Sequence, residues 1–195
     1  MEEKYVIVDN YAINYHTRAV LPYKLANGVI YSKIYEQNNV FLCKHSPLMI
    51  VKNTCSYLGS SYEGRREGTR RLMTYYHKVP IVIDPYNSVY FFPTHSPRNQ
   101  NCAWISLHHI LDIKKIEASK VRITFQNSQK IEIGISIYSL RNQIMRTNSY
   151  KTLQHYNYEA SMNPKLTYKS GMDKQIELAE NQMKYKKKWS KSDSN

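Results

Sequence analysis

The chain has 195 residues, 42% of them hydrophobic, with 28 Lys and Arg against 15 Asp and Glu for a formal net charge of +13. That size and apolar content suit one domain with a buried core and exclude a chain too polar to fold. The positive balance favours a polyanionic partner such as nucleic acid, an anionic membrane or acidic protein, although an AT-rich coding sequence also enriches Lys, Asn, Tyr and Ile.

The N-terminal third reads as strands. Tyr5 to Val8 is short, apolar and preceded by Glu2 and Glu3, unlike the core of a secretory signal. Nowhere does an apolar stretch approach the about 20 residues of a membrane span. These features imply a cytoplasmic protein with no membrane partner, in which Cys43, Cys55 and Cys102 are reduced thiols. Val29 to Tyr35 alternates, Glu36 to Asn39 is a turn, and Val40 to Cys43 returns as a hairpin. Leu48 to Val51 reads as a further strand.

Residues 60–76 change character. Ser60-Ser61-Tyr62-Glu63 fits the capping box that opens a helix. On a helical wheel Tyr62, Thr69, Leu72, Met73 and Tyr76 share one face. Gly64, Glu67, Gly68 and Arg71 share the other, with Arg70 beside them. Ile81-Val82-Ile83 and Val89 to Phe92 make a hairpin around Tyr86-Asn87-Ser88, and residues 94–101 are a loop. Ala103 to Ile116 divides into a strand, a short helical turn and a strand. Cys102 and Trp104 are expected on one buried strand face. Val121 to Phe125 and Ile131 to Ile137 alternate about Gln126 to Gln129 as the clearest hairpin. Ser139 is expected to cap a helix from Leu140 to about Tyr156, carrying Arg141, Arg146 and Lys151. Beyond Pro164 the chain is polar, with a helix expected over residues 172–188 and a basic end at Lys184, Lys186, Lys187, Lys188 and Lys191. The fold class expected is α+β: antiparallel strands and hairpins with a few packed helices and a C-terminal helical, basic tail.

Several motifs compete for function. Gly59 to Arg66 nearly matches a phosphate-binding loop, but Arg65 and Arg66 stand where that loop needs Lys and then Ser or Thr. The same segment reads better as a DNA-binding surface. Arg65, Arg66, Arg70, Arg71 and Lys78 supply cations, Ser60 and Ser61 sit at the amide-rich helix start, and the glycines clear the outward face. Arginine suits narrow AT-rich minor grooves, where the potential is most negative. A solvated basic helix whose glycines pack on another element is the competing reading. A nuclease using Asp84, Asp112 and Lys114 around magnesium is the alternative from another class. An adaptor whose basic surface binds acidic protein is a third. His95, Cys102, His108 and His109 lack the spacing of a zinc site and read as structural. No metal, cofactor or catalytic residue is expected.

A resemblance adds to this reading. Pro47 to Val51, Cys55, Gly59 to Thr69, His77 to Ile81, Phe91 to Thr94 with Ser96, and Cys102 to Ser106 follow in the order seen in ComK competence transcription factors. Ile135-Ser136, Asn142-Gln143 and Arg146-Thr147 complete the pattern. The chain resembles that family from about residue 20 to 150. The resemblance implies a bacterial activator of competence genes, those of DNA uptake, that recognises AT-rich boxes through the minor groove. It implies a homo-dimer or higher oligomer on double-stranded DNA in the nucleoid. RNA polymerase and an adaptor of a Clp-type protease are the further partners it suggests. The expected division is residues 1–157 as the DNA-binding domain and residues 158–195 as a Lys-rich segment for oligomerisation or regulation. Residues 152–195 match the family pattern poorly.

Overall fold

The computed structural model describes residues 5–162. The helix expected over residues 172–188 and the basic end from Lys184 to Lys191 lie outside the described residues. The strands are β1 (Val6–Val8), β2 (Thr17–Lys24), β3 (Ile30–Glu36), β4 (Asn39–Cys43), β5 (Ile81–Asp84), β6 (Val89–Pro93), β7 (Trp104–Ser106), β8 (Ile110–Glu117), β9 (Lys120–Phe125) and β10 (Lys130–Ile133). The helices are α1 (Pro47–Tyr57), α2 (Tyr62–Met73) and α3 (Ile137–Met162). A seven-stranded sheet runs β1-β4-β3-β2-β7-β6-β5, and a three-stranded sheet runs β10-β9-β8. Every pairing is antiparallel except β1 with β4. The α+β expectation is thus met. No helix among the described residues is long and apolar enough to cross a membrane.

Period-two alternation divides the central strands between two cores. Phe91 and Trp104 join Val20, Ile34, Ile81 and Ile83 under the helical layer, where Ile50, Val51 and Cys55 of α1 and Tyr62 of α2 close the cluster. Their neighbours Phe92 and Ile105 face the other way, against Ile123, Phe125 and Ile131 of the small sheet and Leu140 and Ile144 of α3. With both faces covered, β6 and β7 are buried at every position, which explains the unbroken apolar run of β6. Cys102 and Trp104 share the first core, as the sequence suggests. A third cluster, of Met73, Val82, Tyr90, Tyr150 and Leu153, joins the end of α2 to β5, β6 and α3.

Three sequence expectations need correction, and one strand, β2, has no specific counterpart among them. Leu48 to Val51 is helical: Ser46 is extended, Pro47 opens α1, and the buried residues Pro47, Ile50, Val51, Thr54 and Cys55 recur at helical spacing. A four-residue apolar run cannot by itself separate the two periods. β2 contains Pro22, a residue that normally argues against a sheet interior. Here β2 meets β7 only at Ala19 and Val20, so Pro22 lies beyond that pairing and faces Ser32 of β3 alone. Between β7 and β8, residues 107–109 form a bend and turn rather than a helical turn. Finally, α3 begins at Ile137, ahead of Ser139, and continues to Met162. Ser136 is its cap: the Ser139 amide donates to Ser136 Oγ at 3.2 Å and the Leu140 amide to Ser136 O at 3.1 Å.

Replacing Ser136 by Ala should therefore cost about 1 kcal/mol of unfolding free energy in urea titration. Ser139→Ala should cost less, because its hydroxyl only accepts a bond from Lys78. A second expectation concerns pH. Burial holds the imidazoles of His95 and His109 below their ordinary value of 6.5, with Lys78 adding to the effect at His95 and Arg18 at His109. The unfolded chain binds protons there that the folded chain does not, so stability is full above about pH 7 and falls as pH drops through 6.5. Urea midpoints across that range should show the decline, flattened in the His95→Gln, His109→Gln double variant.

Candidate nucleic-acid interface

The Arg-rich segment is built by the way two helices meet. Gly59 takes a positive φ of 74° to stop α1, with its amide on Ser56 O and the Ser60 amide on Cys55 O. That glycine is a helix stop, which accounts for the near-match to a phosphate loop without a nucleotide. Ser61 then opens α2, its Oγ accepting from the Gly64 amide at 2.9 Å. The cap is one residue later than the capping box suggested, so Glu63 does not reach back to close it. Instead Glu63 pairs with Lys52 of α1 at 2.7 Å, and that bond is the main cause holding its carboxyl below the ordinary value.

The inward face of α2 consists of Tyr62, Thr69 and Met73. Tyr62 meets Trp104 edge to face at 6.0 Å, and burial pushes its phenol up to about 12. Leu72 and Tyr76, expected on this face, are exposed instead. The helix ends at Thr74, in the left-handed region, before the wheel returns to Tyr76. The outward face is Gly64, Glu67, Gly68 and Arg71, all exposed as expected. A Cβ built on Gly68 meets nothing within 4 Å, so no close packing inside the fold explains that glycine.

The expected contact residues fall into two groups. Ser60, Ser61 and Arg65 are engaged within the fold. Arg65 lies half-buried between α2 and the edge of the large sheet. Its Nε donates to Ser60 Oγ, and its Nη1 donates to Val82 O at 2.6 Å and Ile83 O at 2.8 Å. A register shift between Val82 and Asp84 leaves Ile83 without a partner on β6, and Arg65 binds the carbonyls exposed there. Arg66, Arg70 and Arg71 form the second group. Arg66 makes no hydrogen bond or ion pair with the described residues. Arg70 and Arg71 share Glu67, at 3.2 and 3.3 Å, and the Arg71 side chain is 80% exposed. Surface pairs of this kind are worth about 0–1 kcal/mol, so a phosphate can displace Glu67 at little cost.

Lys78 stands apart from α2. Its Nζ donates to Ser139 Oγ at 3.0 Å, near the start of α3. Gln143 of α3 then bonds the carbonyls of both Lys78 and Pro93 at 2.8 Å. Arg146, which the sequence places on a basic helix, donates to His77 O at 3.5 Å and lies 4.6 Å from the Tyr75 ring. The sequence reading missed that α3 packs beside the loop after α2. Its long separation in sequence gave no local signal, although Gln143 and Arg146 fell within the family-like pattern.

The alternative metal site finds no support. Asp84 holds its own turn, accepting from the amides of Tyr86 and Asn87 and from Asn87 Nδ2 at 2.6 Å. Asp112 and Lys114 lie on β8, opposite Thr124 and Arg122. Of the histidines, His109 bonds Tyr15 O at 2.6 Å, His108 bonds the Tyr15 hydroxyl at 2.9 Å, and His95 bonds the Thr94 hydroxyl at 3.0 Å. Among the described residues no group of three or more His, Cys, Asp or Glu is arranged to hold a metal.

Comparison with known proteins gives a consistent picture. The family model described as ComK protein matches residues 8–159. The competence transcription factor of Bacillus subtilis (strain 168) is 40% identical over 145 residues, covering 74% of this chain and 75% of that relative. No solved structure matches the chain.

The geometry of Arg65 carries its own test. Arg65→Lys keeps the charge but cannot span a hydroxyl and two carbonyls with a planar fork. It should lower the unfolding free energy by about 1–3 kcal/mol, the cost of leaving such acceptors unsatisfied, as read from urea midpoints.

Proposed function

The chain belongs to the ComK protein family, and from that premise we propose that it activates transcription of competence genes by binding AT-rich duplex DNA through the minor groove. ComK proteins are transcription factors and not enzymes. The observation that carries the interface reading is the outer face of α2. Gly64 and Gly68 stand bare beside Arg66, Arg70 and Arg71, on a helix whose opposite face is anchored in the core. Missing side chains let a phosphate backbone approach, and weakly hydrated guanidinium groups favour the electronegative floor of a narrow groove.

Within this proposal the seven candidate residues divide by role. Arg66, Arg70 and Arg71 enter or flank the groove, and Lys78 holds a phosphate. Ser60, Ser61 and Arg65 act by positioning, since their polar atoms already hold α2 to the end of α1 and to β5. Residues 1–157 form the DNA-binding domain and residues 158–195 a basic segment for oligomerisation or regulation. Pairing of copies on one promoter in the nucleoid, contact with RNA polymerase and capture by a Clp-type protease adaptor belong to the same reading.

Binding should weaken linearly in log K against log salt, with a slope of about −0.9 for each phosphate neutralised. The Arg66→Ala, Arg71→Ala pair should reduce that slope by up to about 2 and weaken AT-rich duplex binding, in fluorescence anisotropy across a salt series. An unchanged slope and affinity would remove these residues from the interface. Gly68→Ala should separate binding from folding. It should raise stability by about 0.5–1 kcal/mol, because a helical Ala replaces Gly in open space. It should also weaken duplex binding, because the added methyl stands between helix and backbone. Equal affinity for AT-rich and GC-rich duplexes in the wild type would defeat the minor-groove reading itself.

A further inference from the structure

Among the described residues the two sheets end in β1 and β5, and in β8 and β10. Three of these edges carry features that hinder pairing with a further chain. Arg65 occupies two carbonyls of β5, register irregularities interrupt β8 beside Lys114 and Lys115, and Lys130 and Glu132 are exposed on β10. β1 has none of these. Val6–Val8 is uncharged, pairs with β4 without a register shift, and has no described strand on its outer side. Val6 is 62% exposed and Ile7 58%. Consecutive strand residues face opposite ways, so this edge is apolar and bare on both faces. Leu111 of β8 is the other large apolar residue exposed in a described strand, and it stands beside Asp112 and near two lysines.

The strand is also held in place. At one end the Lys44 amide donates to Val8 O at 3.2 Å, and Lys44 Nζ pairs with Asp9 at 2.6 Å. At the other, Lys33 of β3 donates to the Tyr5 hydroxyl, and its ammonium lies 4.4 Å from the Tyr5 ring centroid. An edge formed in advance loses little conformational entropy when it pairs. Each copy carries a net charge of +13, so two copies repel wherever cations would face each other. Val6, Ile7 and Val8 bring no charge to the contact.

We propose that β1 is a dimer contact: it pairs antiparallel with β1 of a second copy about a twofold axis between their Ile7 residues. Ile7 then lies opposite Ile7 on one face of the joined sheet, and Val6 opposite Val8 on the other. Val8 already packs on the core under α1, so Val6 of the second copy extends that core across the junction. The same register sets Tyr5, with the Lys33 ammonium over its ring, across from Asp9 of the second copy, so opposite charges approach. The contact consumes the bare edge of both copies, and the hindered edges that remain stop growth at two. An axis perpendicular to the sheet keeps both helical layers on one side, so the two α2 surfaces face the same way. The proposal deepens the reading in which copies pair on one promoter by naming the surface that joins them. Three residues a side fall well short of the about 1,200 Å² of a stable interface, so the dimer is weak.

The test uses the full chain without DNA. Sedimentation velocity from roughly 1 to 100 µM should show wild type passing from monomer to dimer. Ile7→Lys sets like charges directly opposite each other and should stay monomeric throughout. Its urea midpoint should match wild type, because Ile7 is exposed, so a lost dimer is not a lost fold. Ile7→Cys should give a disulfide-linked dimer under oxidised glutathione. Leu111→Cys, as exposed but on the edge of the other sheet, should not, and the native cysteines are buried. A wild type that stays monomeric at the highest concentration, a dimer that Ile7→Lys leaves intact, or a crosslink at Leu111→Cys in place of Ile7→Cys overturns the proposal. These readouts need no duplex. Equal affinity for AT-rich and GC-rich DNA would therefore defeat the minor-groove reading and leave the dimer contact standing.

Discussion

A single guanidinium sets the position of the surface on which the functional reading depends. The large sheet ends at β5, and a local register shift there turns consecutive carbonyls toward α2. Arg65 takes both, and takes Ser60 as well, so one side chain joins a sheet edge, a helix and the connection that precedes it. Unpaired carbonyls at a sheet edge invite pairing with another chain. Here they are occupied by the element whose far side is the candidate interface. The same side chain thus protects the edge and fixes the direction in which Arg66, Arg70 and Arg71 project.

The rest of the candidate interface rests on α3. This helix lies far from α2 in sequence but reaches the loop that follows it. Gln143 bonds the backbone at Lys78 and at Pro93, so the loop, the end of β6 and α3 hold one another. Arg146 and Arg70 lie over the neighbouring rings Tyr75 and Tyr76. Positive charge and aromatic surface therefore meet where helices from two parts of the chain converge.

Much of the architecture was legible because it is local. Alternation at Val121 to Phe125, the turns of polar residues and the paired serines before α2 are short-range signals, and each leads to the element observed, with the α2 cap one residue later than expected. The failures have the same logic. Leu48 to Val51 is too short to display a period, and Pro22 is permitted in β2 by a neighbour that stops two residues earlier. For the candidate site, the exposed glycines and arginines could be assigned to one helical face. The inward turn of Arg65 could not, since nothing near it in sequence marks an irregular strand edge seventeen positions away. Tyr76 was assigned inward because the wheel continued past Thr74, where the backbone leaves the helix.

The composition of α2 also bears on how the surface comes into being. The helix has two internal glycines, only three buried side chains and a pair of charged residues it shares with one acid. Such a segment has little tendency to coil on its own. Its shape is lent by its surroundings: Trp104 beneath, the strand edge alongside and α3 beyond. A synthetic peptide copying residues 60–76 would consequently be a poor mimic of the parent, bearing the same charges with no scaffold to array them. The candidate surface is a property of the assembled tertiary structure, and it vanishes with it.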